Sequence, residues 1–146
     1  MNLMYWLLAF LAGLMLTIQV GANSTLRQAL GNPAMAALAS FVVGLVGLWF
    51  YLVLTRASLP TRAAIAGVPA WAWLGGLLGA FYVASTVIVG PRLGAAALLA
   101  LSVLGQLMAS LVVDHYGWLG FPQHEITAIR LAGAVLLFGG VLLIVR

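Results

Sequence analysis

Apolar residues fall along this chain in long unbroken blocks, with polar residues gathered between them. Five blocks are long enough to cross a bilayer as helices: about 3–22, 33–54, 71–90, 93–113 and 126–145. A helix needs about 20 predominantly apolar residues for that crossing. Strands of a membrane barrel would alternate apolar and polar positions instead of staying apolar throughout. The connections are 23–32, 55–70, 91–92 and 114–125, and only the second is long. Asn32-Pro33 predicts a helix start, with an N-cap followed by proline at the first helical position. Gly90-Pro91 predicts a helix stop. Val20-Gly21-Ala22 has the small residues of a signal cleavage site. The block before it lacks a basic leader and is longer than a usual signal core, which favours a retained first helix. The expected fold is an all-α membrane protein, one domain over 1–146.

Two blocks carry polar strips. In the fourth, Ser102, Gln106, Ser110 and Asp114 stand at steps of four. Each such step advances about 40° around a helix, so the four side chains share one face. In the first, Gln19 and Asn23 are four apart and Arg27 continues the step. A polar group in lipid costs free energy unless it finds a partner. Interhelical hydrogen bonds, about 0.6 kcal/mol each on average, explain one or two such residues. Strips on two helices favour a water-lined substrate path through Gln19, Asn23, Ser102, Gln106 and Ser110. Asp114 and Arg130, at adjoining helix ends, form a candidate ion pair or gate. Gly75 and Gly79 make a G-x-x-x-G motif; with Gly105 and Gly133 they are candidates for close helix packing.

Composition confirms the solvent: 65% of residues are hydrophobic and 5% charged, far below the roughly 25% charge of soluble domains. Six arginines against one Asp and one Glu are too few and too scattered for a nucleic-acid surface. With no cysteine there are no disulfides or thiolate metal sites. His115, His124 and Glu125 share a connection without ligand spacing, so neither a metal site nor another cofactor is expected. No catalytic constellation is visible.

The arginines also bear on orientation. Five spans put Arg56, Arg62 and Arg130 on the side of the N-terminus, and Arg27, Arg92 and Arg146 on the other. Insertion follows the Lys/Arg bias of short loops, and three against three is no bias. Tyr5, Trp6, Trp49, Tyr51, Trp71, Trp73, Tyr116 and Trp118 lie near the first side; only Tyr82 does not. Since Trp and Tyr favour the membrane interface, two antiparallel copies would have belts on both faces. Antiparallel pairing would also bring the first-helix strip of one copy level with the fourth-helix strip of the other.

The stretches TIQVGANSTLRQALGNPAMAALASFVVG, WAWLGGLLGAFYV, RLGAAALLALSVLGQLMASLVVDHYGWLG and ITAIRLAGAVLLFGGVLL together resemble the YdcZ-like branch of the drug/metabolite transporter superfamily. Gln19 and Asn23, Gly105 and Gln106, Asp114 and Gly117, and Arg130 match its pattern. The resemblance implies a multi-pass protein of the bacterial inner membrane that exports a solute. Larger members hold two inverted five-helix halves, so it implies that this chain is one half of an inverted-repeat transporter. Small multidrug exporters of the superfamily use a first-helix glutamate; here that helix has no acid.

The expectation is therefore an antiparallel homodimer, in contact with lipid, that moves a small polar or amphipathic solute by alternating access. Its rivals are a small dual-topology ion channel, with arginines at the mouths, and a non-transporting membrane assembly subunit.

Overall fold

The computed structural model describes residues 3–146, all helix and connection with no strand among them. Its helices are α1 (Leu3–Leu30), α2 (Pro33–Leu54), α3 (Arg62–Ala66), α4 (Leu74–Leu93), α5 (Ala95–Tyr116) and α6 (Ala128–Val145). All but α3 are long and apolar enough to cross a membrane, α4 together with the 3-10 turn Ala70–Trp73 that leads into it. The chain is described as two compact units, Met1–Arg92 and Leu93–Arg146.

In the first unit, α1 continues eight residues past its apolar block. Hydropathy marks where a span leaves the lipid, not where its helix ends. Leu26, Arg27, Gln28 and Ala29 are good helix formers, and no glycine or proline intervenes before Gly31. Twenty-eight residues rise about 42 Å, more than the roughly 30 Å of hydrocarbon. Gly31, at φ +69°, ends the helix with its N–H donating to the Arg27 carbonyl at 2.9 Å. Asn32 then caps α2, its Oδ1 accepting from the N–H groups of Ala34 (2.8 Å) and Met35 (3.3 Å), with Pro33 at the first position. The long 55–70 connection contains α3, capped by Thr61.

The core of this unit is small and lies at one end. Ala36 and Ala37 of α2 meet Val83 and Val87 of α4, with Leu26 of α1 and Tyr82 packed against them. At the far ends of the same helices, Tyr5, Trp6, Trp49 and Tyr51 are exposed, as are Trp71 and Trp73 before α4. The six therefore gather where an interfacial belt would lie, while Tyr82 is half-buried.

The Gly90-Pro91 stop is displaced: α4 runs on to Leu93, with Pro91 inside its last turn. Gly94, at φ +77° and ψ 162°, makes the break instead.

In the second unit, α5 and α6 pack together. Gly117 ends α5 in the left-handed conformation, its N–H donating to the carbonyls of Val113 and Asp114. A 3-10 turn, Trp118–Gly120, and an extended stretch lead to Thr127, whose hydroxyl caps α6 by accepting from the Arg130 N–H. Leu98, Leu111, Ala134 and Val141 are buried. Across the five spans only 6–17% of the apolar window is buried, so most of each helix surface is uncovered by its own unit.

The packing glycines divide. A Cβ on Gly79 would meet Phe41 Cζ of α2 at 3.9 Å, an ordinary contact. At Gly75, Gly105 and Gly133 it would meet nothing within 4 Å. No close contact within its own unit involves any of those three.

Candidate functional site

Each unit presents polar side chains in an apolar setting. In the first, Gln19 of α1 opens on a groove of about 330 Å³ lined also by Ser40, Phe41, Gly44, Leu45 and Leu48 of α2. That volume is at the lower end of the roughly 300–1,000 Å³ of small-molecule pockets, which limits a ligand to a small one. The walls are aliphatic and aromatic. Gln19 offers an amide donor and acceptor, and Ser40 a hydroxyl that does both. None of the lining residues is ionisable, so the groove suits a ligand with a neutral polar end and an apolar body.

Asn23 lies one turn beyond Gln19 but does not line the groove. It is 2% exposed, among the most enclosed side chains of the unit. The two members of the first strip thus separate: Gln19 is accessible and Asn23 belongs to the interior.

In the second unit the α5 strip also separates along its length. Ser102 is half-buried, while Gln106 and Ser110 are exposed. Gln106 is the twelfth of 22 residues in α5, at the middle of the span. Ser110 and Asp114 line a smaller cavity, about 130 Å³, with Ala109, Val113, Leu119 and Phe121. Helix geometry sets this strip about 145° from the face of Leu104, Met108 and Leu111. That second face forms an apolar groove of about 370 Å³ with Leu131, Ala134, Val135 and Phe138 of α6. Gln106 and Ser110 therefore point away from the apolar side of the α5–α6 pair.

Asp114 and Arg130 come together. Arg130 Nη2 donates to Asp114 Oδ2, and Nη1 donates to the His124 carbonyl at 3.0 Å. The backbone reinforces this closure, since the His124 N–H donates to the Asp114 carbonyl at 2.8 Å. Gln123 Nε2 donates to the His115 carbonyl at 3.0 Å, and His115 Nδ1 accepts from the Ile126 N–H at 3.4 Å. The 117–127 connection is thus tied to α5 at three points beside the Ser110–Asp114 cavity, and Arg130 of α6 holds both. His115 and the His124 backbone serve this loop, and no cluster of metal-ligating side chains occurs among the described residues.

Two participants escape a reading of hydropathy. Ser40 sits in a block too apolar for one hydroxyl to register. Its signal is the run Ala36, Ser40, Gly44, small residues at steps of four down one face of α2. Arg27 looks like a loop charge in the sequence, yet in the structure its guanidinium bonds to α4.

A chain of five apolar spans, with polar side chains set at mid-helix, defines a multi-pass helical membrane protein. The family described as "Putative inner membrane exporter, YdcZ" matches residues 4–143, and the chain belongs to it. It is 29% identical over 141 residues to the inner membrane protein YdcZ of Escherichia coli (strain K12), covering 95% of this chain and 94% of that one. No solved structure matches. The protein is accordingly a multi-pass inner-membrane protein of a transporter family, not of an enzyme family.

Proposed function

We propose that this protein exports a small polar or amphipathic solute by alternating access, as an antiparallel homodimer. The observation that carries the reading is Gln19 beside Ser40 on an otherwise apolar groove of ligand size. Hydrogen bonds to a solute would orient it there, and the Phe41, Leu45 and Leu48 walls would take its apolar part. Because the groove has no ionisable lining, it fits a solute whose polar end is uncharged, and proton or cation exchange at Gln19 has no group to use.

Support for a second copy comes from α5. A polar face exposed at the middle of a span is costly against lipid. Gln106 and Ser110 have that exposure in the single chain. A partner inserted upside down would cover them and supply the other wall of the passage, and the even arginine count puts no barrier against such insertion. Two inverted halves exchanging conformations then expose the midplane to each side in turn.

The test is flux through purified protein in liposomes, using a panel of neutral, zwitterionic and anionic amphipathic solutes. Saturable flux of one class, lost in Gln19→Leu with the dimer intact, supports the proposal. Unitary currents would assign the passage to a channel. No flux of any kind, with another membrane protein co-purifying, would make the chain an assembly subunit.

A further inference from the structure

Pro91 has no N–H, so α4 cannot make its helical hydrogen bond to the carbonyl four residues back, that of Val87. Val87 is 1% exposed, and nothing in lipid could replace the missing donor. The donor present belongs to α1: Arg27 Nη1 lies 3.0 Å from the Val87 carbonyl and 3.4 Å from that of Ile88. Arg27 is itself in the last turn of α1, so the carbonyl ends of α1 and α4 converge on one guanidinium. Helix carbonyl ends carry partial negative charge and favour a cation within about one turn. The same field disfavours an anion. No carboxylate pairs with Arg27 among the described residues.

We infer that Arg27 is the substitute donor for the proline break in α4, a latch that ties α1 to α4 and keeps the last turn of α4 helical. The chain's division into two compact units falls immediately beyond that turn, at Arg92 and Leu93. With Arg27 in place, the turn holding Pro91 is stiff and the helix break is left to Gly94, whose backbone is the one glycine alone adopts readily. Without it, Val87 is left unsatisfied and the break moves back to Gly90-Pro91.

The latch makes Arg27 and Pro91 energetically coupled, which a double-mutant cycle on the full chain in detergent micelles can read. Arg27→Met removes the donor and keeps the length. Pro91→Ala restores a backbone N–H to Val87. Arg27→Met is expected to raise the unfolding constant about three- to tenfold in the native background, the range between an average membrane hydrogen bond and a charged one. In the Pro91→Ala background it should change that constant less than twofold. Equal effects in both backgrounds would overturn the inference. A second measurement holds even where variants fold poorly. In the native chain in liposomes, with guanidino-15N arginine and carbonyl-13C valine, solid-state NMR dipolar recoupling should show a short Arg–Val contact. Val87→Leu, which keeps the carbonyl but drops the label, should abolish it. A contact that survives that substitution, or none in the native chain, would also overturn the inference.

Discussion

Gln19 of α1 and Ser40 of α2 line one groove, a residue of each helix of the first hairpin bringing a hydrogen-bonding group to the same apolar cleft. Gln19→Leu removes the amide and adds no bulk. Transport is expected to fall at least about tenfold, the equivalent of one lost hydrogen bond to a desolvated polar group. Stability should hold, because Gln19 is exposed in the single chain. Ser40→Ala should weaken apparent affinity less, and Ser40→Leu should block the groove by filling it. Solute flux in liposomes, alongside thermal unfolding in detergent, separates these effects. Full transport in Gln19→Leu would take that residue out of the path.

Arg130 ties the second unit through two acceptors, the Asp114 carboxylate and the His124 carbonyl. The side chains are 34% and 21% exposed, so solvent screens the pair in part. Asp114→Asn or Arg130→Met is expected to cost about 1–2 kcal/mol, between an exposed ion pair and a buried charged hydrogen bond. The swap Asp114→Arg with Arg130→Asp should recover part of that loss. Arg130→Lys should recover less than its charge suggests, since an ammonium lacks the planar fork that reaches both acceptors. Unfolding by denaturant in micelles measures all four variants. Independent, additive losses in the swap would show that the pair does not act as one.

Gly94 and Gly117 both have positive φ, but not for the same reason. Gly117 is in the left-handed helical region, φ +62° and ψ 35°, and an added Cβ would meet Gln123 Cβ at 3.2 Å. Gly94, at φ +77° and ψ 162°, has open space around it but a backbone that suits almost only glycine. Alanine at either position is expected to cost about 1–3 kcal/mol. Asparagine tolerates the left-handed region and should recover part of the loss at Gly117, though none at Gly94. Melting temperatures of the four variants check the contrast.

The five spans were legible because a bilayer imposes one demand, about 20 apolar residues per crossing, and the sequence meets it five times. The cap at Asn32-Pro33 was legible because its chemistry is local. The length of α1 was not, because lipid thickness ends the apolar block while the polar residues 23–30 continue the helix. Nor was the passage of α4 through Pro91, where the Val87 carbonyl takes its donor from 60 residues away. The polar strips divide on the same ground. Periodicity sets Gln19 and Asn23 on one face, but only the neighbouring helices decide that one opens on a groove and the other is enclosed. Ser40 enters the site through its neighbours alone.

Charge placed on one side should separate the two orientations. Ala57→Lys with Ser58→Lys would draw the 55–61 connection to the cytoplasm, and Gln28→Lys with Ala29→Lys would draw the opposite end. Each biased variant alone should lose transport, and the two expressed together should regain it. Flux in vesicles from single and double expression decides the matter. Full activity of one biased form alone would mean that copies facing the same way suffice.

The antiparallel pair is tested most directly by counting orientations in the native membrane. The chain has no cysteine, so Ser58→Cys gives one thiol in an exposed connection with no background. A membrane-impermeant thiol reagent applied to spheroplasts should label about half of the protein, the rest reacting only after the membrane is opened. Labelling of all of it, or none, before opening would place every copy the same way round and contradict the account.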